Sequence, residues 1–140
     1  MRLMKTTRST QQGSIVLEAL ISILIFSIGI LAIVGLQAAS IKNTAAAKYR
    51  TDASLLANQV IGQMWLGDKT NATLVANFSS PDGADYVTWA DTVSQALPGA
   101  SAVPPTIAID ANNNATVTVF WQGPDEAEAH NYTAIAVVNN

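Results

Sequence analysis

Residues 15–36 read IVLEALISILIFSIGILAIVGL, 22 positions with a single charge, Glu18, and no proline. At a rise of about 1.5 Å per residue a helix of this length covers about 33 Å, close to the roughly 30 Å hydrocarbon core of a bilayer. Apolar side chains fall on every side of such a helix, so it has no polar face to turn to water and reads as a membrane span. Its many Ile and Val residues weaken a helix in water. In lipid the backbone must satisfy its own hydrogen bonds, and for one isolated segment only a helix does so.

The flanks of this block carry most of the basic residues. Arg2, Lys5 and Arg8 precede it; Lys42, Lys48 and Arg50 follow it. The positive-inside count is close to a tie, and the very short N-terminal tail favours the N-terminus inside and the C-terminal region outside. Seven Lys/Arg against ten Asp/Glu give −3; without the first 13 residues, four cations face ten carboxylates, a net −6. A mature chain this acidic is a poor partner for nucleic acid, which requires clustered Lys/Arg. Lys42, Lys48 and Arg50 suit either an anchor to anionic headgroups or a solvated helix face. With no cysteine anywhere, disulfides, thiol chemistry and Cys-based zinc sites are excluded.

The entry to the span has its own pattern, Gln12-Gly13-Ser14-Ile15-Val16-Leu17-Glu18. An ordinary secretory signal has a shorter apolar core with a small-x-small cleavage site after it. Here the core is too long and holds a carboxylate, which costs up to about 2.5–3.5 kcal/mol at mid-bilayer and so points to a function or a partner. A basic leader, a Gly, four further residues, a Glu and a long apolar helix resemble the type IV prepilin signature. The resemblance implies cleavage between Gly13 and Ser14 on the cytoplasmic side and N-methylation of Ser14 by a prepilin peptidase/N-methyltransferase. It gives Glu18 the role of pairing with the N-terminal amine of a neighbouring subunit. Ser14 departs from the Phe of most major pilins. Gly29 and Gly35 suit close helix approach or local loosening of the helix on assembly; Gly is also simply common in membrane helices.

Beyond residue 37 the apolar pattern narrows to a stripe. Ile41, Ala45, Tyr49, Ala53, Leu56, Val60 and Met64 recur every three or four positions, which predicts that the helix continues to Leu66 with an amphipathic second half. The organisation expected is a leader (1–13), a membrane and assembly segment (14–36), an amphipathic helical segment (37–66) and a small α+β head (67–140). Residues 67–84, rich in Asn, Ser, Gly, Asp and Pro, read as a loop. A short helix is expected around Tyr86, Trp89, Val93 and Leu97, stopped by Pro98-Gly99. Three strands follow, at 106–109, 116–121 and 132–138, with a turn at Asn112-Asn113-Asn114. The predicted class is a pilin-like α+β fold, a long helix packed on a small antiparallel sheet. Trp65, Trp89 and Trp121 are expected as core or groove anchors.

The stretches SIGILAIVGLQAAS and YRTDASLLANQVIGQMW, the tryptophan helix ending in LPG, and the VTVFW strand look like the PilV-type minor pilins, or type IV pilus modification proteins. That resemblance covers nearly the whole chain. It implies a non-enzymatic subunit without cofactor or metal, inserted in the bacterial inner membrane and then assembled with other major and minor pilins into a pilus at the cell surface. Three other readings compete: a pseudopilin of type II secretion, a secreted soluble binding domain cut near Ala38-Ala39-Ser40, and a permanently membrane-anchored module that never polymerises. His130, the only histidine, sits among Asp125, Glu126 and Glu128, a weak arrangement for a metal because ligands must converge from several elements. No G-x-S-x-G, phosphate loop or dinucleotide fingerprint occurs. The Asn-x-Ser/Thr triplets at Asn71, Asn77, Asn114 and Asn131 are given no role.

Overall fold

The structure is a computed structural model and describes residues 12–124 and 126–139. Helix α1 (Gln12–Leu66) is followed by α2 (Asn71–Phe78), α3 (Ala84–Ala96) and the strands β1 (Thr106–Ile109), β2 (Asn114–Trp121) and β3 (His130–Val137). The chain divides into two units, Met1–Asn43 and Thr44–Asn140. The expected leader falls largely outside the described residues; its last two positions, Gln12 and Gly13, open α1.

In the first unit every described side chain of α1 is exposed. Phe26, Leu31 and Leu36 are each about 70% exposed, and the apolar surface runs unbroken along the helix. Soluble monomers rarely show contiguous apolar patches above a few hundred Å², so this segment needs lipid or other helices around it. The Ser27 hydroxyl is satisfied within the helix, donating to Ile23 O at 2.7 Å. A methyl group added at Gly29 or Gly35 would touch nothing within 4 Å, so no contact inside the chain requires either glycine.

In the second unit the stripe on α1 enters the core. Ala53, Leu56, Ala57, Val60 and Met64 are buried, Tyr49 is half-buried, and Ile41, at the stripe's start, is exposed. α3 adds Tyr86, Trp89 and Val93 to this core, and α2 adds Leu74 and Phe78. The sheet is antiparallel throughout, in the order β1-β2-β3. β2 alternates strictly, with Ala115, Val117, Val119 and Trp121 inward. That is the period-2 pattern of a strand with one buried face. The core contains two buried side chain-to-backbone bonds. Tyr86 Oη donates to Pro105 O at 2.7 Å, and Trp89 Nε1 donates to Leu56 O at 3.0 Å. Burial raises the Tyr86 phenol above its ordinary range.

Three expectations are corrected. Residues 67–84 are not all loop, since α2 occupies their middle. Gly67 ends α1, its N–H donating to Gln63 O at 3.3 Å. Asp68 then accepts from Thr70 N–H at 2.9 Å and Thr73 Oγ1 at 3.2 Å, which organises the start of α2 and lowers the carboxyl pKa, chiefly through the Thr70 bond. Leu74 and Phe78, four apart, form the buried face. Trp65 is no core anchor; it is 44% exposed, with Lys69 Nζ 5.3 Å from its ring centre. Being one position past buried Met64, it is rotated off the stripe by about 100°. His130, two residues ahead of the strand expected at 132–138, begins β3.

The Asn112–Asn114 turn forms, with β2 starting at Asn114. Asn113 takes φ 60°, a conformation Asn tolerates better than most residues. Asp110 accepts from Asn112 N–H, Asn114 N–H and Asn114 Nδ2, and the Asn114 side-chain bond leads in lowering its pKa. Asn71 Nδ2 donates to Asp110 O at 2.7 Å and Asn113 Oδ1 at 2.8 Å, tying α2 to this turn.

Gly83, just ahead of α3, is buried where backbones crowd. A Cβ there would lie 2.5 Å from Asn77 O and 2.9 Å from Ser79 O. Because those atoms are main chain and cannot swing aside, Gly83→Ala should destabilise the head by about 1–3 kcal/mol. Equilibrium denaturation against the parent protein measures this; an unchanged midpoint would mean that the α2–α3 connection yields freely.

Candidate functional site

The residues singled out in the sequence fall at the start of α1. Gly13 and Ser14 lie in its first turn, and Glu18 is one turn further on. Gly13 and Ser14 are exposed, and nothing lies within 4 Å of a Cβ built on Gly13.

Ser14 and Glu18 are four residues apart and therefore share a face. With Leu17, Ile21 and Ser22 they line a shallow depression in the helix surface. Glu18 is exposed and forms no salt bridge or hydrogen bond among the described residues. A lone carboxylate in an apolar surface costs free energy in lipid unless a cation meets it. Among the described residues, Glu18 is thus a carboxylate without a partner in an otherwise apolar helix face.

The three cations after the span have different surroundings. Lys42 is exposed in the first unit. In the second, Lys48 Nζ bonds Asp52 Oδ2 at 3.1 Å, one turn on, and lies 5.7 Å from the Tyr49 ring centre. Arg50 borders a cavity described below. Pairing of Lys48 with Asp52 weakens the reading of these residues as one headgroup-binding cluster.

Among the described residues, the head also has the following concavities. One, of ≈ 320 Å³, lies among α1, α2 and α3 and is lined by Gln59, Gln63, Asp68, Asn77 and Asp85 with Trp89 at its edge. The other, of ≈ 470 Å³, is walled by Ala46, Ala47 and Arg50 of α1 and by Trp121, Glu126 and His130. His130 stacks on Trp121, with ring centres 5.8 Å apart, and its Nε2 is 3.2 Å from Glu126 Oε2. Glu126 Oε2 also accepts from Gly123 N–H at 2.9 Å. This ring stacking and loop bracing were not legible in the sequence, which shows only a histidine near acids. Among the described residues no three His, Cys, Asp or Glu side chains converge as metal ligands.

The fold is α+β, and α1 is long and apolar enough to cross a membrane. No family model matches the chain, and neither a curated protein nor a solved structure is similar enough to count as a match.

Proposed function

We propose that this chain is a prepilin-type subunit of a type IV pilus-like filament, with the PilV-type minor pilins as its particular class. It is made with a leader, cut after Gly13 by a prepilin peptidase and methylated on Ser14. It waits in the inner membrane with the head outside, then leaves the bilayer to pack its apolar helix against those of other major and minor pilins. Assembly draws on a separate ATPase, and the subunit itself performs no reaction.

The observation that carries this reading is the single carboxylate, Glu18, one turn after Ser14 on an exposed apolar helix that is joined to a small α+β head. A buried ion pair adds little net stability, but leaving one partner unpaired costs about 3–5 kcal/mol. Such a pair therefore selects the register at which helices assemble. A soluble secreted domain has no use for an apolar helix continuous with its own core stripe.

The test is the intact mass and N-terminal sequence of the protein recovered from its own cells. A chain beginning at Ser14 with one added methyl group supports the proposal. A start near Ile41 makes it a secreted domain, and a start at Met1 a static membrane anchor.

A further inference from the structure

The cavity of ≈ 320 Å³ in the head is walled by a polar pair from each of three helices. α1 supplies Gln59 and Gln63, α2 supplies Thr73 and Asn77, and α3 supplies Thr88 and Thr92. The members of each pair are four residues apart, so they share one helix face, with Cβ atoms about 5–6 Å apart. Asp68, between α1 and α2, and Asp85, in the first turn of α3, add carboxylates. The buried side chains of Phe78 and Trp89 give the cavity an apolar wall.

The amides at this cavity differ from the other amides on the same helices of the head. Away from it, Asn58 Nδ2 donates to Ser54 O at 2.9 Å, Asn71 Nδ2 to Asp110 O at 2.7 Å, and Gln95 Nε2 to Asp91 Oδ2 at 2.7 Å. Gln59, Gln63 and Asn77, which line it, form no side-chain hydrogen bond among the described residues. The Asp85 carboxylate also has no bond among them. Asp68, by contrast, is occupied by Thr70 N–H and the Thr73 hydroxyl. The Thr88 and Thr92 hydroxyls donate along α3 to Ala84 O and Thr88 O, which leaves their oxygens able to accept. Each amide offers two N–H donors and an acceptor oxygen. The cavity therefore gathers open donors and open acceptors from three separate elements.

We propose that this cavity binds a neutral sugar ring. Sugar hydroxyls donate and accept alike, which matches amides that do both beside hydroxyl and carboxylate oxygens that accept. The apolar wall suits the C–H face of the ring. A volume near 300 Å³ is at the small end of ligand sites, the size for a single ring rather than a long chain. Phosphates, sulfates and acidic sugars are excluded: no Lys, Arg or His lines the cavity among the described residues, and Asp68 and Asp85 repel anions. An ammonium or guanidinium group satisfies the carboxylates but brings no acceptor to the three amides. The site does not depend on the filament reading, because every residue lining it belongs to the unit Thr44–Asn140.

The test uses the full chain in dodecylphosphocholine micelles, a detergent without a sugar head group, and follows side-chain and backbone amide signals by NMR. The methyl glycosides of glucose, galactose, mannose and N-acetylglucosamine are titrated in turn. At least one should shift the Gln59, Gln63 and Asn77 side-chain signals saturably, with a dissociation constant of about 1 mM, the strength of a small ligand with few contacts. Asn77→Leu and Gln63→Met each remove an amide at nearly constant volume. Each should weaken that binding about tenfold while the backbone amide spectrum stays that of a folded head. Asn58→Ala removes an adjacent amide that is already bonded within α1, and it should bind as the parent does. No saturable shift with any of the four glycosides overturns the proposal. Equal binding by Asn77→Leu and Gln63→Met also overturns it, because the sugar then binds elsewhere. So do saturable shifts with methylammonium and with no glycoside, because the cavity is then a cation site.

Discussion

Trp89→Ala should lower the unfolding free energy of the head by about 3–5 kcal/mol, the range for deleting a large buried aromatic. Trp89 is 3% exposed, and α3 carries it into the core against the amphipathic part of α1. Its ring centre lies 6.2 Å from that of Tyr86 at 55° between planes, a tilted pair. Its indole N–H reaches Leu56 O. In a regular helix that carbonyl already accepts from the amide four residues on, so losing the indole bond leaves no orphaned acceptor. Trp89→Phe should therefore cost much less, about 1–2 kcal/mol, from lost volume and one hydrogen bond. Denaturant unfolding followed by near-ultraviolet circular dichroism separates the two, since far-ultraviolet signal is dominated by α1. If alanine and phenylalanine cost the same, the indole bond rather than packing holds α3 to α1.

Gly13→Phe should abolish leader removal, and Glu18→Ala should leave removal intact while emptying the filament of this subunit. These outcomes belong to the prepilin proposal, and the structure makes them readable. A Cβ at Gly13 meets nothing within 4 Å, and Glu18 has no salt bridge or hydrogen bond, among the described residues. Neither change disturbs the fold of the chain, so a defect reports on an outside partner. On the prepilin proposal, phenylalanine at position 13 puts a bulky side chain beside the peptide to be cut, and only full-length precursor should accumulate by mass spectrometry. Alanine at position 18 would leave a neighbour's amine unpaired among apolar helices, at a cost of several kcal/mol per contact. Immunoblots of sheared filaments should then show loss of the mature chain with normal membrane levels. Normal incorporation of Glu18→Ala would remove the pairing role given to Glu18.

Elements with a strong period could be located from residues alone. The apolar block and the stripe from Tyr49 to Met64 predicted one helix ending at Leu66, where α1 ends. The strand expected at 116–121 is β2, which starts two residues earlier, at Asn114, and buries Val117, Val119 and Trp121. α2 was hidden because its buried face has only Leu74 and Phe78 within a polar, turn-like composition. The usable signal was Asp68 and Thr70 ahead of that four-residue spacing. His130 and Trp65 were misplaced for a related reason. Local neighbours set one just ahead of a strand and the other in the core, whereas strand register and helix rotation decide both.

Sequence by itself determined the apolar helix, the lone carboxylate at position 18 and the absence of thiol chemistry. Each follows from residue type and spacing along one continuous segment, which is short-range information. Only the tertiary structure decided that Ser80 closes the β1 edge from 27 residues away and that, among the described residues, β3 has no such guard. Which side of a strand its backbone groups face is set by pairing register between distant segments. A run of residues records its own alternation, but not which neighbour will use it.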